Sequence, residues 1–188
     1  ASMTSGHDAT LVGSNAGAAI TTGMYNTIIG SNSADALTTG DYNTAVGVHA
    51  LSSEDVGRGT TAIGYQALYS QNSDSNDEQT GNTALGYTAG YDVTTGVNNT
   101  LLGALAGVLI TTGSDNTAIG NGSSPAATDA IRNTAVGGAS LQSETSGGYN
   151  VAVGYHALGS ANTGVAQAKN TAIGYGSGNG ITTGIQNT

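Results

Sequence analysis

Asn116-Thr-Ala-Ile-Gly120 and, seventeen residues on, Asn133-Thr-Ala-Val-Gly137 decide the fold, because the same string recurs along the whole chain. It stands again at Asn43 to Gly47, Asn82 to Gly86 and Asn170 to Gly174, and as Thr27-Ile-Ile-Gly30 with a larger third residue. The closing glycines are Gly13, Gly30, Gly47, Gly64, Gly86, Gly103, Gly120, Gly137, Gly154 and Gly174. The step between them is 17 residues except after Gly64, where it is 22, and after Gly154, where it is 20. A fixed period this short makes each repeat one structural unit that cannot bury its own apolar face and must stack on its neighbours. Residues 1–188 therefore read as a single array of ten 17-residue units, with insertions near 70–80 and 159–168. The pattern runs into both ends, as expected for an excerpt of a longer chain.

Counting from the Asn, one unit reads Asn, Thr, Ala, an aliphatic residue, Gly at position 5, often Tyr at 6, a small residue at 8, then a turn and Thr-Thr-Gly at 13 to 15. Recurrent Gly with β-branched Thr, Ile and Val between penalises helix and favours short strands broken by turns. The fold class expected is all-β: a repeat β-solenoid, β-roll or interleaved β-prism with 17-residue coils. Coils ~4.8 Å apart would give a rod segment of roughly 50 Å.

Position 4 is Val12, Ile29, Val46, Ile63, Leu85, Leu102, Ile119, Val136, Val153 and Ile173, apolar without exception, and is expected to form the structural core. Position 8 is small throughout, from Ala16 to Ser177, as expected where another strand of backbone packs close. Positions 9 and 12 exchange size: Gly17 with Ile20, Gly90 with Val93, Gly107 with Ile110 and Gly178 with Ile181, but Leu51 with Glu54 and Leu141 with Glu144. A fixed interior volume filled from either of two sites explains the exchange. The coil between Gly120 and Gly137 has only Ser124 and Ala127 there and is expected to be the weakest. Position 1 stacks Asn26, Asn43, Asn82 and their successors into an amide ladder, interrupted in mid-chain by Thr60. Position 3 is mostly Ala (Ala45, Ala62, Ala84, Ala118), a smooth column suited to packing against sister chains, so a homo-oligomer is expected, with a trimer favoured.

Composition narrows the function. Charged residues make up 8% of the chain and Gly 31 of 188 residues, against roughly 25% and ~7% in ordinary soluble domains. Only Arg58, Arg132 and Lys169 oppose twelve carboxylates, for a net charge of -9, which argues against nucleic acid or anionic membrane as partner. The chain has no Cys, so neither a disulfide framework nor a thiolate metal site is available. No stretch approaches the ~20 apolar residues of a spanning helix, so no membrane insertion is expected.

The unit Asn-Thr-Ala-Ile/Val-Gly-Tyr-x-Ala, followed by a turn and Thr-Thr-Gly, resembles head repeats of trimeric autotransporter adhesins (YadA-like) and similar repeat regions of phage tail-fibre proteins. Matching stretches are Asn43 to Ala50, Asn82 to Ala89, Asn150 to Ala157 and Asn170 to Ser177. The resemblance covers essentially the whole chain and implies a trimeric left-handed β-roll or an interleaved β-prism. The adhesin head repeat is shorter; here the turn before Thr-Thr-Gly is expanded.

Candidate chemistry is sparse. His49 and His156 share position 7 six coils apart, and a rod keeps them from meeting, so no catalysis is expected. The string Gln71 to Gln79 carries Asp74, Asn76 and Glu78, oxygen ligands at alternate positions and weak candidates for Ca²⁺, without the central Gly and terminal Glu of an EF-hand. No cofactor is expected. Tyr65, Tyr87, Tyr155 and Tyr175 share position 6, where rings either stack on sugars or pack at coil corners.

These features together lead to a structural or adhesive shaft of an extracellular or virion fibre, of cell-surface attachment or tail-fibre type, holding a tip outside this segment that contacts a host-cell or surface glycan or protein. The alternatives are an ice-binding β-solenoid, because Thr27, Thr44, Thr61, Thr83, Thr100, Thr117 and Thr134 form a ladder, or a glycan-binding one. For the ice reading a flat face bearing two ranks of Thr would be needed. Position 4 is apolar, so the second rank would have to come from Thr-Thr-Gly across a turn.

Overall fold

Each Thr-x-aliphatic triplet forms a three-residue strand, and the Gly at position 5 ends it. In the computed structural model, which describes residues 8–75, 78–124 and 126–188, ten such strands lie in one sheet. They are β1 (Thr10–Val12), β2 (Thr27–Ile29), β3 (Thr44–Val46), β4 (Thr61–Ile63), β5 (Thr83–Leu85), β6 (Thr100–Leu102), β7 (Thr117–Ile119), β8 (Thr134–Val136), β9 (Val151–Val153) and β10 (Thr171–Ile173). Every neighbouring pair is parallel, the spatial order is the sequence order, and equal repeat positions face each other, as in Thr44↔Thr61 and Val46↔Ile63. No helix occurs among the described residues. The fold is a parallel β-solenoid with 17-residue coils, each coil closed within the one chain.

The coil-to-coil step is uniform. The amide of each position-5 Gly donates to the position-4 carbonyl of the coil before, from Gly30 to Val12 through Gly174 to Val153, at 2.7 to 2.9 Å in all nine steps. Position 1 supplies the second periodic element. Asn43 and Asn99 are fully buried; the Asn43 amide donates to Asn26 Oδ1 at 2.9 Å, and Asn43 Nδ2 donates to the Gly57 carbonyl at 2.9 Å. The expected ladder therefore exists, as an internal one. Its oxygen accepts from the next coil while its amide nitrogen ties down the corner ahead of the next Asn.

The facing of the strands is the reverse of the expectation. Position 3 points inward: Ile28, Ala45, Ala62, Ala84, Leu101, Ala118, Ala135 and Ala152 are fully buried. Position 4 points out, with Val12, Ile29, Leu85, Leu102 and Ile173 exposed by 38 to 70% and Val46, Ile63, Ile119, Val136 and Val153 half-buried. These ten residues are therefore not the core, and the Ala column is each coil's own interior wall and is not a surface for sister chains. The period of two is the same for either facing, so alternation alone cannot choose between them. Volume chooses. The large side chains of position 9, Leu51, Leu68, Leu141 and Leu158, are fully buried and fill the space under the strand, leaving room for only a methyl at position 3, whereas Leu37 and Ile110 at position 12 share the interior with Ile28 and Leu101. Where position 9 is Gly, position 3 can be large: a Cβ on Gly107 would lie 2.7 Å from Leu101 Cδ2 and 2.8 Å from Ile110 Cδ1. Three positions share the interior, one more than the sequence exchange revealed. A direct consequence is that Val136→Asp adds a charge on the outside and lowers stability by no more than about 1 kcal/mol in thermal melts followed by circular dichroism.

Position 8 behaves as expected, with Ala50, Ala67, Ala89, Ala106, Ser123, Ser140 and Ala157 buried. The coil expected to be weakest stands out as well. Its interior consists of Ala118, Ser124 and Ala127, the Ser124 hydroxyl is buried without a partner, and the apolar core divides here into one cluster ending at Ala130 and another beginning at Ala135. Pro125 lies outside the described residues. Native-state hydrogen exchange should therefore find the amides of Thr117 and Ser124 opening at lower free energy than those of Leu51 and Thr44, whose coil holds a buried Leu.

The two insertions are absorbed away from the sheet. Across the five-residue one, Thr61 still pairs with Thr83 and Ile63 with Leu85; across the three-residue one, Val151 still pairs with Thr171. Each insertion alters the Thr-Thr-Gly turn, and the coil before it loses a backbone acceptor. In regular coils the amides of Thr22 and Gly23 both donate to the Thr38 carbonyl of the next coil. Before the first insertion, Val56 and Gly57 donate instead to the buried carboxyl group of Glu54, at 3.2 and 2.7 Å. Before the second, Gly147 donates to buried Glu144 at 2.8 Å. Thr60, the break in the Asn ladder, is bridged by Gln71, whose Nε2 donates to Thr60 Oγ1 at 2.9 Å and whose Oε1 accepts from Asn82 Nδ2 at 2.9 Å.

Candidate functional site

The inverted facing creates the most regular surface of the molecule. The outward side of the sheet carries position 2, which is Thr in nine strands and Val151 in β9, and position 4, which is aliphatic in all ten. Neighbouring strands are ~4.8 Å apart, and the two positions within a strand are separated by two residues, roughly 6.6 Å. The result is a two-column array of hydroxyls and methyls with no charged member. β-branched side chains dominate both columns, and their restricted χ1 rotation makes the array stiff.

The threonine that opens the turn, at position 13, and the strand threonine at position 2 differ in what their hydroxyls do. On the turn, Thr38 Oγ1 donates to the Asp55 carbonyl at 2.9 Å, Thr94 to Thr111 at 3.1 Å and Thr111 to Thr128 at 2.9 Å, each onto the next coil. That rank is part of the scaffold. On the strands, among the described residues, no position-2 hydroxyl bonds to another protein group. Those threonines are half-buried, like Thr27, or exposed, like Thr83 and Thr100, in register along the axis.

The remaining candidate groups do not converge. Tyr65 stacks on Tyr87 with centroids 5.5 Å apart, and Tyr155 on Tyr175 at 5.7 Å, so these rings pack on each other at coil corners along the axis. Tyr25 and Tyr42 stack likewise at 5.1 Å at position 17, a left-handed corner in which both have φ near +60°. In the same column the Arg132 guanidinium donates to the Tyr149 hydroxyl and lies 3.4 Å from Asp115. The Tyr149 hydrogen bond and charge, then Asp115, push the Arg132 pKa up. His49 packs edge-on against Tyr69, and His156 against Tyr155. His7 lies outside the described residues. Of the Ca²⁺ candidates, Glu78 accepts from the Asp74 backbone amide at 3.1 Å as a loop cap, and Asn76 lies outside the described residues. Among the described residues no three His, Cys, Asp or Glu side chains gather as a metal group, and no pocket forms.

Two polar groups that matter to the architecture were not singled out as sites from the sequence, Glu54 and Gln71. Their signal was present: Glu occupies position 12 only in the two coils that precede an insertion. Comparison with known proteins adds nothing to this geometry, since no family model, no curated protein and no solved structure matches the chain.

Proposed function

We propose that this chain is a length of shaft in an extracellular or virion fibre, a cell-surface or tail-fibre rod that spaces a contact-making tip from the body carrying it. The observation that supports this is the unbroken ten-strand register, kept even across both insertions. A solenoid whose every step repeats the same backbone bonds extends without limit in one direction, and quasi-one-dimensional stacking makes its length proportional to repeat number. In this reading the chain performs no catalysis and needs no cofactor. Its likeness to adhesin-head and tail-fibre repeats points the same way.

The trimer favoured from the sequence rests on that likeness alone, because the Ala column that would have packed sister chains lines the coil interior. Sedimentation of the 188-residue chain, with resistance to unboiled SDS, checks the stoichiometry. For the shaft itself the test is location: antibodies to this segment, with gold labels, should decorate filaments projecting from intact cells or particles. Label confined to the cell interior would overturn the proposal.

A further inference from the structure

We propose that the outward face of the sheet, the threonine rank of position 2 beside the aliphatic rank of position 4, is a binding site for a crystalline water surface, that is, ice. The inference does not depend on the shaft reading; a free single-chain solenoid and a fibre segment both offer the face.

Four observations point to this ligand. The first is two-dimensional order. Hydroxyls such as those of Thr83, Thr100 and Thr117 repeat at strand spacing, ~4.8 Å, close to an oxygen repeat of the ice lattice, and a second rank runs parallel to them. The second is continuity. Insertions of five and three residues fall outside the strands and leave their register intact, so neither column skips a strand. The third is availability. The first threonine of the turn, at position 13, spends its hydroxyl on a carbonyl of the next coil, whereas the strand threonines keep theirs for solvent. The fourth is the mixture itself. Methyl groups hold first-shell water in a restricted arrangement, and hydroxyls anchor it by hydrogen bonds, so each strand contributes one anchor and one ordering group.

The same chemistry disfavours a second protein chain on this face. A dry protein interface would strip water from a rank of hydroxyls that have no partner built opposite them, and each one left unsatisfied opposes association. An ice surface returns a hydrogen bond to every one. Nor is a second rank of Thr required: a Val or Ile at position 4 presents methyl groups where a Thr would present one methyl and one hydroxyl, so the aliphatic rank keeps the ordering half of the site.

The test is thermal hysteresis of the purified 188-residue chain, with capture of fluorescently tagged protein onto a growing ice surface, in three forms. The parent protein is expected to show a freezing gap and to coat ice. Thr117→Tyr, placed in the middle of the face, is expected to abolish both with an unchanged melting curve, because a ring standing off the array breaks the match. Thr112→Tyr, an exposed turn position away from the sheet, is expected to leave both intact. A folded parent with no hysteresis overturns the inference, as does equal activity of Thr117→Tyr and parent. A stable oligomer that covers the face also overturns it while leaving the shaft proposal standing, and label inside the cell with hysteresis present does the reverse.

Discussion

Gly47→Ala should be among the most damaging single-methyl changes this chain can receive, lowering stability by about 3 kcal/mol or more in thermal or chemical unfolding. Two costs coincide at position 5. The backbone of Gly47 has φ +135°, a region that L residues rarely adopt. A Cβ built there would also lie 2.3 Å from the Gly64 carbonyl oxygen and 2.6 Å from its carbon, backbone atoms of the next coil that cannot swing aside. The same collision, with a nearest approach of 2.2 to 2.7 Å, recurs at every position-5 glycine from Gly13 to Gly154. Two controls separate the terms. Gly174 shares the conformation, φ +123°, but a Cβ there meets nothing closer than Ser177 Cβ at 3.9 Å, so Gly174→Ala should show the conformational cost alone. Gly59, at φ +75° with nothing within 4 Å, sits in a milder region, and Gly59→Ala should cost only about 1 kcal/mol. A series that came out equal at all three sites would contradict the stacking geometry.

Why the sequence revealed the period and the coil but not the facing is now plain in physical terms. Gly at every seventeenth residue marks a place where backbone meets backbone, a constraint no other residue type satisfies, so it is written in the sequence without ambiguity. Inside and outside of a strand are marked only by hydrophobicity, and here the outside column is the more hydrophobic one. Val136 and Ile119 looked like core because a branched aliphatic usually is; Ala135 and Ala118 looked like a docking surface because small residues often are. The true core came from positions 9 and 12, such as Leu141 and Ile110, already visible in the Gly–Leu exchange. What hid their importance is that position 9 lies in the left-handed region, with φ +54° at Leu51 and +49° at Leu141, where a bulky side chain is not expected. Among the functional candidates, the Thr ladder was legible as a column. That its neighbour on the exposed face would be position 4 was equally legible, but its exposure depended on the facing.

Glu54→Ala is expected to cost on the order of 3 kcal/mol or more, because it leaves several donors behind at once in a buried site. Glu54 has no solvent exposure, and its two carboxyl oxygens accept from Val56 N, Gly57 N and Ser73 N and from Gln71 Nε2 and Ser73 Oγ. Three of these donors are backbone groups stranded by the insertion, so no side-chain substitution can remove them. Glu54→Gln keeps the shape but turns an NH₂ toward donors, and should recover part of the loss and not all of it. Asp74→Ala, exposed in the insertion that Glu54 braces, should be silent. Glu144 repeats the device five coils away, accepting from Gly147 N, Thr163 N and Thr163 Oγ1. At ~4.8 Å per coil the two carboxyl groups are roughly 24 Å apart, so Glu54→Ala and Glu144→Ala should add within about 0.5 kcal/mol in the double variant. Additivity would mean that each Glu repairs its own insertion locally. Strong coupling would instead mean that the two irregular coils strain the sheet between them, and with it the register on which the outward face depends.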